Sequence, residues 1–208
     1  AVRLKFPKTS VDGIDLYQQH RPDPDTPVSD TMGALEDLVV AGKIRYYGCS
    51  YYSGAQMQEA VDAADKAGLK GFVTAQNAWN VLQRNVEADL IPVCEKAGIG
   101  ILPYYPIARG LLTGKYRRGA DAPAGSRLAG DDNLEKADFD LLERLETYAV
   151  DHGYDLLTLA ISWLAAQPSI ACIIAGGSRP AQMAANANAA RWKLTSENLA
   201  EIDNLLDA

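Results

Sequence analysis

The chain has 208 residues, of which 48% are hydrophobic and 23% charged, and its formal net charge is −7. A chain of this length can bury a sizeable core as one large domain or two small ones, and its composition is that of a soluble globular protein. The negative charge argues against a nucleic-acid binder, which needs a basic face. No signal-peptide pattern opens the chain, and no apolar run approaches the roughly 18 residues of a membrane span. We therefore expect neither nucleic acid nor a membrane among the partners.

The first half of the chain alternates predicted strands and helices with a period of roughly 28 residues, which is typical of a parallel sheet covered by helices. The first strand, 13–20, ends at His20, and the Pro-rich segment after it predicts a loop. Ser29 or Asp30 is the predicted cap of the first helix, and Ser53 caps the second, which Gly68 ends. The other predicted elements are strands at 44–49, 71–76 and 99–104 and helices at 30–41 and 86–97.

The alternation of predicted strands and helices stops in the second half of the chain. Residues 107–136 show no clear period, and a loop this long is usually a functional lid or an insertion. Helices are predicted at 139–150, 156–167, 180–190 and 196–206, with a fifth strand at 170–175. We expect one domain over 1–208. Five parallel strands suffice for an open doubly wound sheet but not for a closed eight-stranded barrel, and periodicity does not choose between these folds.

The three cysteines, Cys49, Cys94 and Cys172, are far apart and odd in number. Since Cys94 and Cys172 have apolar neighbours in sequence, we expect buried free thiols in a reducing compartment, the cytoplasm. We expect no metal site, because no ligand spacing is present and there are only two histidines. One of these, His152, is predicted to cap the end of a helix.

Each predicted strand ends in groups suited to a polar heteroaromatic ligand, and in parallel α/β proteins this edge carries the chemistry. His20 supplies an imidazole whose ordinary pKa is nearest neutrality. Ser50 and Gln76 offer the donor and acceptor that a carboxamide such as that of nicotinamide needs, and Tyr104 offers a ring to stack on. Residues 176–179 precede a helix and offer main-chain amides and a guanidinium to a pyrophosphate. Each residue alone also fits a purely structural role, but their occurrence at successive strand ends favours a binding site.

At this point the chain resembles the aldo-keto reductases, most closely the bacterial branch related to potassium-channel β subunits. The resemblance implies a (β/α)8 barrel, of which this chain looks like the last five units, a single domain lacking its amino-terminal part. The segments that carry it are 11–21, 42–50, 76–84, 104–116 and 176–186.

The resemblance also implies a cofactor, NADP(H), a small-molecule carbonyl substrate and the roles of individual residues. His20 looks like the histidine that orients the substrate carbonyl, Ser50 and Gln76 like the pair that holds the carboxamide, and Tyr104 like the ring under the nicotinamide. The other residues matched to cofactor binding are Tyr51, Tyr105, Pro106, Ile107, Ala108, Gly110, Leu112 and Lys115 near the nicotinamide and pyrophosphate, Ser126 and Arg127 near the adenosine, and Gly176, Ser178, Arg179, Gln182 and Asn186 at the 2′-phosphate and adenine.

Three departures from the family pattern leave alternatives open. Tyr51 stands where the family usually has Asn, and Ala185 replaces a usual Glu. The family's proton-donating Tyr, with its Lys and Asp, would precede Val11. The chain is therefore either part of an NADPH-dependent reductase of aldehydes or ketones, or a catalytically incomplete relative that binds NADP(H) or serves as an assembly subunit. An unrelated open-sheet protein is the third alternative. If the chain is complete, its unpaired strand edges predict a homo-oligomer that closes the sheet.

Overall fold

The computed structural model describes residues 13–207, and the chain divides into two compact units. Among the described residues, the first unit comprises residues 13–77 together with Asn85–Leu102. The second comprises Ala78–Arg84 and residues 103–207. The expectation of a single reductase-like domain over 1–208 stays a prediction.

The first unit is built on a sheet of four parallel strands. These are β1 (Ile14–Gln19), β2 (Ile44–Ser50), β3 (Thr74–Gln76) and β4 (Gly100–Ile101). Their order in the sheet is β1-β2-β3-β4. A doubly wound sheet reverses its strand order at a switch point, whereas the strands of a barrel follow chain order. The predicted α/β class with parallel strands is therefore confirmed, and the observed order is that of a barrel segment.

Three helices cover this sheet, and their sequence signals explain where they begin and end. They are α1 (Val28–Val40), α2 (Gly54–Ala67) and α3 (Leu90–Ala97). The predicted cap of α2 is confirmed: Ser53 Oγ accepts from the Gln56 amide at 3.3 Å, Gln56 Oε1 accepts from the Ser53 amide at 3.0 Å, and Gly68 ends the helix at φ 64°. The predicted cap of α1 is wrong, because that helix begins after Pro27 without a side-chain cap.

The strands β2 and β3 approach so closely that one position accepts only glycine. A Cβ on Gly48 would lie 2.1 Å from Thr74 Oγ1 and 2.7 Å from the Thr74 carbonyl oxygen. Both distances are far inside van der Waals contact. Gly48 therefore lets the two strand ends, and the polar groups on them, come together.

The cysteines match the expectation only in part. Cys49 and Cys94 are buried free thiols in the first unit, and burial raises the pKa of Cys94 to about 12 and that of Cys49 still further. Both therefore stay protonated and unreactive at neutral pH. The prediction for Cys172 is wrong, because its side chain is exposed.

The second unit is mainly helical, and its core forms around one apolar helix. Its helices are α4 (Asp132–Glu135), α5 (Phe139–Asp151), α6 (Leu156–Ala165), α7 (Pro180–Asn188) and α8 (Ser196–Asp207). The helix α6 is buried along nearly its whole length, and its Trp163 meets Trp79 edge to face with ring centroids 5.9 Å apart. His152 ends α5 as predicted, with Nδ1 2.8 Å from the Tyr148 carbonyl oxygen. Among residues 13–207, no helix combines the length and the apolar composition needed to cross a bilayer.

Three other predicted elements differ from the structure. The fifth strand, 170–175, is reduced to one parallel bridge between Tyr104 and Ile174, in which the Ile174 amide donates to the Pro103 carbonyl at 3.0 Å. The helix predicted at 86–97 is a 3-10 turn, Asn85–Glu87, followed by α3. The aperiodic segment 107–136 contains the 3-10 turn Ala108–Thr113 and the short α4.

Candidate functional site

In the first unit, three of the predicted residues lie at one edge of the sheet, the carboxyl end of the strands. His20 directly follows β1 and is exposed, while Ser50 and Gln76 are the last residues of β2 and β3. Ser50 and Gln76 are register partners, and Ser50 Oγ donates to the Gln76 main-chain oxygen at 2.6 Å. The hydroxyl proton of Ser50 is thereby used, so its oxygen is left as an acceptor.

A chain of side-chain hydrogen bonds fixes the orientation of the Gln76 amide. Gln18 Nε2 donates to Gln76 Oε1 at 2.8 Å, and Thr74 Oγ1 donates to Gln18 Oε1 at 3.4 Å. Because the carbonyl end of Gln76 is engaged by Gln18, its NH2 group is the end that can serve a ligand as a donor. Gln18 was not among the residues predicted from the sequence. The available signal was a polar side chain inside β1, two residues before His20.

Tyr51 continues this edge directly after β2. Its backbone is left-handed, with φ 63°, and its amide donates to the Gln76 main-chain oxygen at 3.3 Å. This conformation is rare for an aromatic L-residue, and such outliers cluster at functional sites. The side chain is 41% exposed.

In the second unit, the predicted residues around Tyr104 form a tightly turned loop. Tyr104 and Tyr105 are half-buried and meet edge to face, with ring centroids 4.9 Å apart. Positive φ values occur at Tyr105 (58°), Ala108 (44°) and Arg109 (57°) as well as at Gly110 (102°). Of the other predicted loop residues, Pro106, Gly110 and Leu112 are buried, Ile107, Ala108 and Ser126 half-buried, and Lys115 and Arg127 exposed.

Asn80 anchors this strained loop. It is 1% exposed, and its Nδ2 donates to the Tyr105 carbonyl oxygen at 3.0 Å while its Oδ1 accepts from the Leu82 amide at 2.9 Å. A buried amide with both ends bonded fixes the backbone that it holds. Asn80 was not predicted from the sequence, because its partner lies 25 residues further along the chain.

Three cationic side chains line the same loop. The guanidinium carbons of Arg109 and Arg127 lie 5.2 Å and 5.1 Å from the centroid of the Tyr105 ring. Lys115 lies against Gly110, where a Cβ would be 2.9 Å from Lys115 Nζ. Arginine and lysine side chains above turned backbone suit phosphate groups. Arg109 belongs to the matched segment but was given no role from the sequence.

The last predicted group precedes α7, and two of its main-chain amides, those of Ser178 and Arg179, are already bonded. Gln182 Oε1 accepts from the Ser178 amide at 2.8 Å, from Ser178 Oγ at 3.1 Å and from the Arg179 amide at 3.2 Å. Asn186 Nδ2 donates to the Gly176 oxygen at 3.2 Å. The exposed guanidinium of Arg179 is thus a group at this helix start that suits an anion, whereas the Ser178 and Arg179 amides, two of those predicted to bind a pyrophosphate, are engaged by Gln182.

The first unit carries polar groups at its strand ends, and the second unit carries a cationic loop. A sequence model of the Aldo/keto reductase family matches residues 5–207. The chain belongs to that family, which confirms the resemblance found in the sequence.

Individual relatives match at about one third identity. A probable voltage-gated potassium channel subunit beta of Arabidopsis thaliana is 34% identical over 195 residues, which are 90% of this chain and 59% of that protein. A putative aryl-alcohol dehydrogenase of Saccharomyces cerevisiae is 36% identical over 159 residues, 73% of this chain and 45% of the relative. A probable aldo-keto reductase of Glycine max is 31% identical over 201 residues, 94% and 56% of the two chains. The chain thus spans less than two thirds of the length of these relatives.

Proposed function

We propose that the chain binds NADP(H) and takes part in reducing an aldehyde or ketone to an alcohol. The observation that carries the proposal is the convergence of Arg109 and Arg127 on the ring of Tyr105, at 5.2 Å and 5.1 Å. Two guanidinium groups held at one strained turn, with Lys115 in the same loop, are an arrangement for a polyanion. Family membership supports the same proposal.

Each unit, taken by itself, contains groups that suit one part of the dinucleotide. Gln76 presents an NH2 donor and Ser50 an acceptor oxygen, the pair that a carboxamide requires. Arg127, Arg109 and Lys115 suit the phosphates, and the exposed Arg179 suits a 2′-phosphate. When bound, NADPH supplies the hydride.

His20 is the residue that we assign to the substrate. Its imidazole is exposed at the end of β1, where a ring N–H can donate to a carbonyl oxygen, orient it and stabilise the negative charge that develops on it. We assign no proton donor within residues 13–207, because the family's Tyr, Lys and Asp match no position after Val11.

The proposal is tested with the full-length protein and two exposed arginines from the same part of the chain. Arg127→Gln removes a charge from the Tyr105 ring, whereas Arg118→Gln removes one that pairs with Asp140 and Glu143. We expect Arg127→Gln to weaken NADPH binding about tenfold and Arg118→Gln less than about twofold, measured by nicotinamide fluorescence. Equal effects of the two substitutions, or no saturable binding by the wild type, would refute the cofactor assignment.

A second candidate function is an NADP(H)-binding subunit without turnover. The relatives named as potassium channel β subunits favour it. Oxidation of NADPH by 4-nitrobenzaldehyde, followed by absorbance, distinguishes the two functions. Turnover supports the reductase, and saturable NADPH binding without oxidation supports the subunit.

We further propose a reducing compartment, the cytoplasm, because Cys49 and Cys94 are both free and buried. For the case that the chain is complete, we also propose a homo-oligomer that closes the sheet, since among the described residues β1 pairs with β2 on one side only. Light scattering of the full-length protein tests it, and a monodisperse monomer would contradict it.

A further inference from the structure

Three side chains cluster beside the Ser50–Gln76 pair without belonging to it. His20 and Arg21 follow β1, and Tyr51 follows β2. The guanidinium carbon of Arg21 lies 4.5 Å from the centroid of the Tyr51 ring. The His20 ring meets the same tyrosine edge to face, with centroids 5.8 Å apart and planes at 85°. We call these residues the His20–Arg21–Tyr51 cluster.

The position of Tyr51 in this cluster is imposed by the backbone. Its φ of 63° is unfavourable for a bulky L-residue, yet its amide is bonded to the Gln76 oxygen that also accepts from Ser50. A phenol ring cannot reproduce the carboxamide contacts of the Asn that the family usually has here. Tyr51 therefore suits an aromatic ligand better than the carboxamide of a dinucleotide.

Arg21 keeps its hydrogen-bonding edge available. Among residues 13–207, no salt bridge joins Arg21 to a carboxylate. The nearby Asp23 instead accepts from the Asp25 amide and from Thr26 Oγ1, both at 3.0 Å. Stacking on a ring engages the face of a guanidinium, and its N–H donors point outward in the plane. Arg21 can therefore stack on Tyr51 and bind an anion at the same time.

We propose that Arg21 and Tyr51 select the substrate: an aromatic aldehyde or ketone with a carboxylate on its ring. The inference rests on the proposed function, because it places the carbonyl at His20. The aromatic ring then lies against Tyr51, and the carboxylate accepts hydrogen bonds from Arg21. Each contact uses a different part of the substrate, so each can be tested separately.

The test compares 4-carboxybenzaldehyde, benzaldehyde and butanal with the full-length protein. Arg21→Gln is expected to lower kcat/KM about fivefold for 4-carboxybenzaldehyde and less than about twofold for the other two. Tyr51→Asn, which suits the left-handed backbone, lowers kcat/KM for both aromatic aldehydes relative to butanal. Arg21→Lys retains part of the preference for the carboxylate. In the matched control, Arg45→Gln, which removes an exposed arginine paired with Asp15, all three values stay near those of the wild type.

Two kinetic results would overturn the inference: an equal loss for all three substrates in Arg21→Gln, or an unchanged preference for 4-carboxybenzaldehyde in that variant. Calorimetric titration with benzoate separates this failure from that of the proposed function, because it needs no turnover. If the wild type binds benzoate, and Arg21→Gln weakens this binding while Arg45→Gln does not, the result supports the inference. This holds even if none of the aldehydes is reduced. The inference is overturned if the wild type does not bind benzoate, or if the two variants bind it equally. Aldehyde reduction by the same protein would then still support the reductase function.

Discussion

The strands β2 and β3 approach closely at Gly48, and replacing this residue with alanine tests both the packing and the binding edge. The new Cβ would lie 2.1 Å from Thr74 Oγ1, 2.7 Å from the Thr74 carbonyl oxygen and 3.1 Å from Gln18 Oε1. A side-chain hydroxyl can rotate away, but the carbonyl belongs to the paired backbone of β3. The strands must therefore separate, and overpacking of a core costs about 1–3 kcal/mol, with backbone clashes at the upper end.

The same substitution should impair ligand binding, because Thr74 and Gln18 orient Gln76. Displacing Thr74 Oγ1 breaks its bond to Gln18, and the Gln76 amide then loses its fixed orientation. We expect Gly48→Ala to lower the free energy of unfolding by about 3 kcal/mol and to weaken NADPH binding by about tenfold. Urea unfolding and nicotinamide fluorescence of the full-length protein measure the two effects.

Gly33→Ala is the matched control. Gly33 lies in the middle of α1, and a Cβ there meets nothing within 4 Å. Alanine should stabilise this helix by roughly 1 kcal/mol without touching the site. Adding Thr74→Ala to Gly48→Ala removes the hydroxyl clash but not the carbonyl clash, so only part of the stability should return. Full recovery of stability in the double variant, or a Gly48→Ala protein as stable as the wild type, would contradict the close approach of β2 and β3 at Gly48.

Three other predictions concern single groups. Asn80→Ala should lower the free energy of unfolding by about 2 kcal/mol, because it leaves the Tyr105 carbonyl and the half-buried Leu82 amide without their hydrogen-bond partner, and urea unfolding measures this loss. Arg179→Gln should weaken NADPH binding while leaving NADH within about twofold; equal losses in competition binding would contradict a contact with the 2′-phosphate. Burial raises the pKa of Tyr47 from 10.0 to about 12, so the unfolded chain ionises first and the free energy of unfolding falls between about pH 10 and pH 12. In urea unfolding, Tyr47→Phe should reduce this fall of the free energy of unfolding at alkaline pH, whereas the control Tyr46→Phe, at an exposed position, should not.

Local signals made much of the fold predictable. Ser53 and Gln56 form the capping box of α2, and Gly68 ends the helix within the first unit as its sequence indicates. These signals act over a few residues and need no partner elsewhere. The prediction that Ser29 caps α1 was wrong, although it also rested on a local signal. The Ser29 hydroxyl bonds the neighbouring Asp30 side chain at 3.4 Å, and the helix begins earlier, after Pro27.

Features that depend on distant partners were not predictable. An apolar run becomes a strand only if a neighbour pairs with it, and segment 170–175 pairs at Ile174 alone. Gln18 orients a residue 58 positions away, and no local pattern announces that contact. The candidate groups of each unit were predictable from their position at strand ends and from the resemblance. Gln18, which orients Gln76 in the first unit, and Asn80, which holds the Tyr105 loop in the second, were not.

The hydrogen bonds at the Ser50–Gln76 pair also leave one acceptor and one donor at this edge, which disfavours a cofactor that has lost its amide group. The Ser50 proton is committed to the Gln76 backbone, and the Gln76 carbonyl is committed to Gln18. A carboxamide can match both remaining groups, an N–H toward the serine and a C=O toward the glutamine. A deamidated dinucleotide, which has a carboxylate there, would bring two oxygens together with no proton between them. The protein should therefore discriminate against nicotinic acid dinucleotides before any chemistry begins.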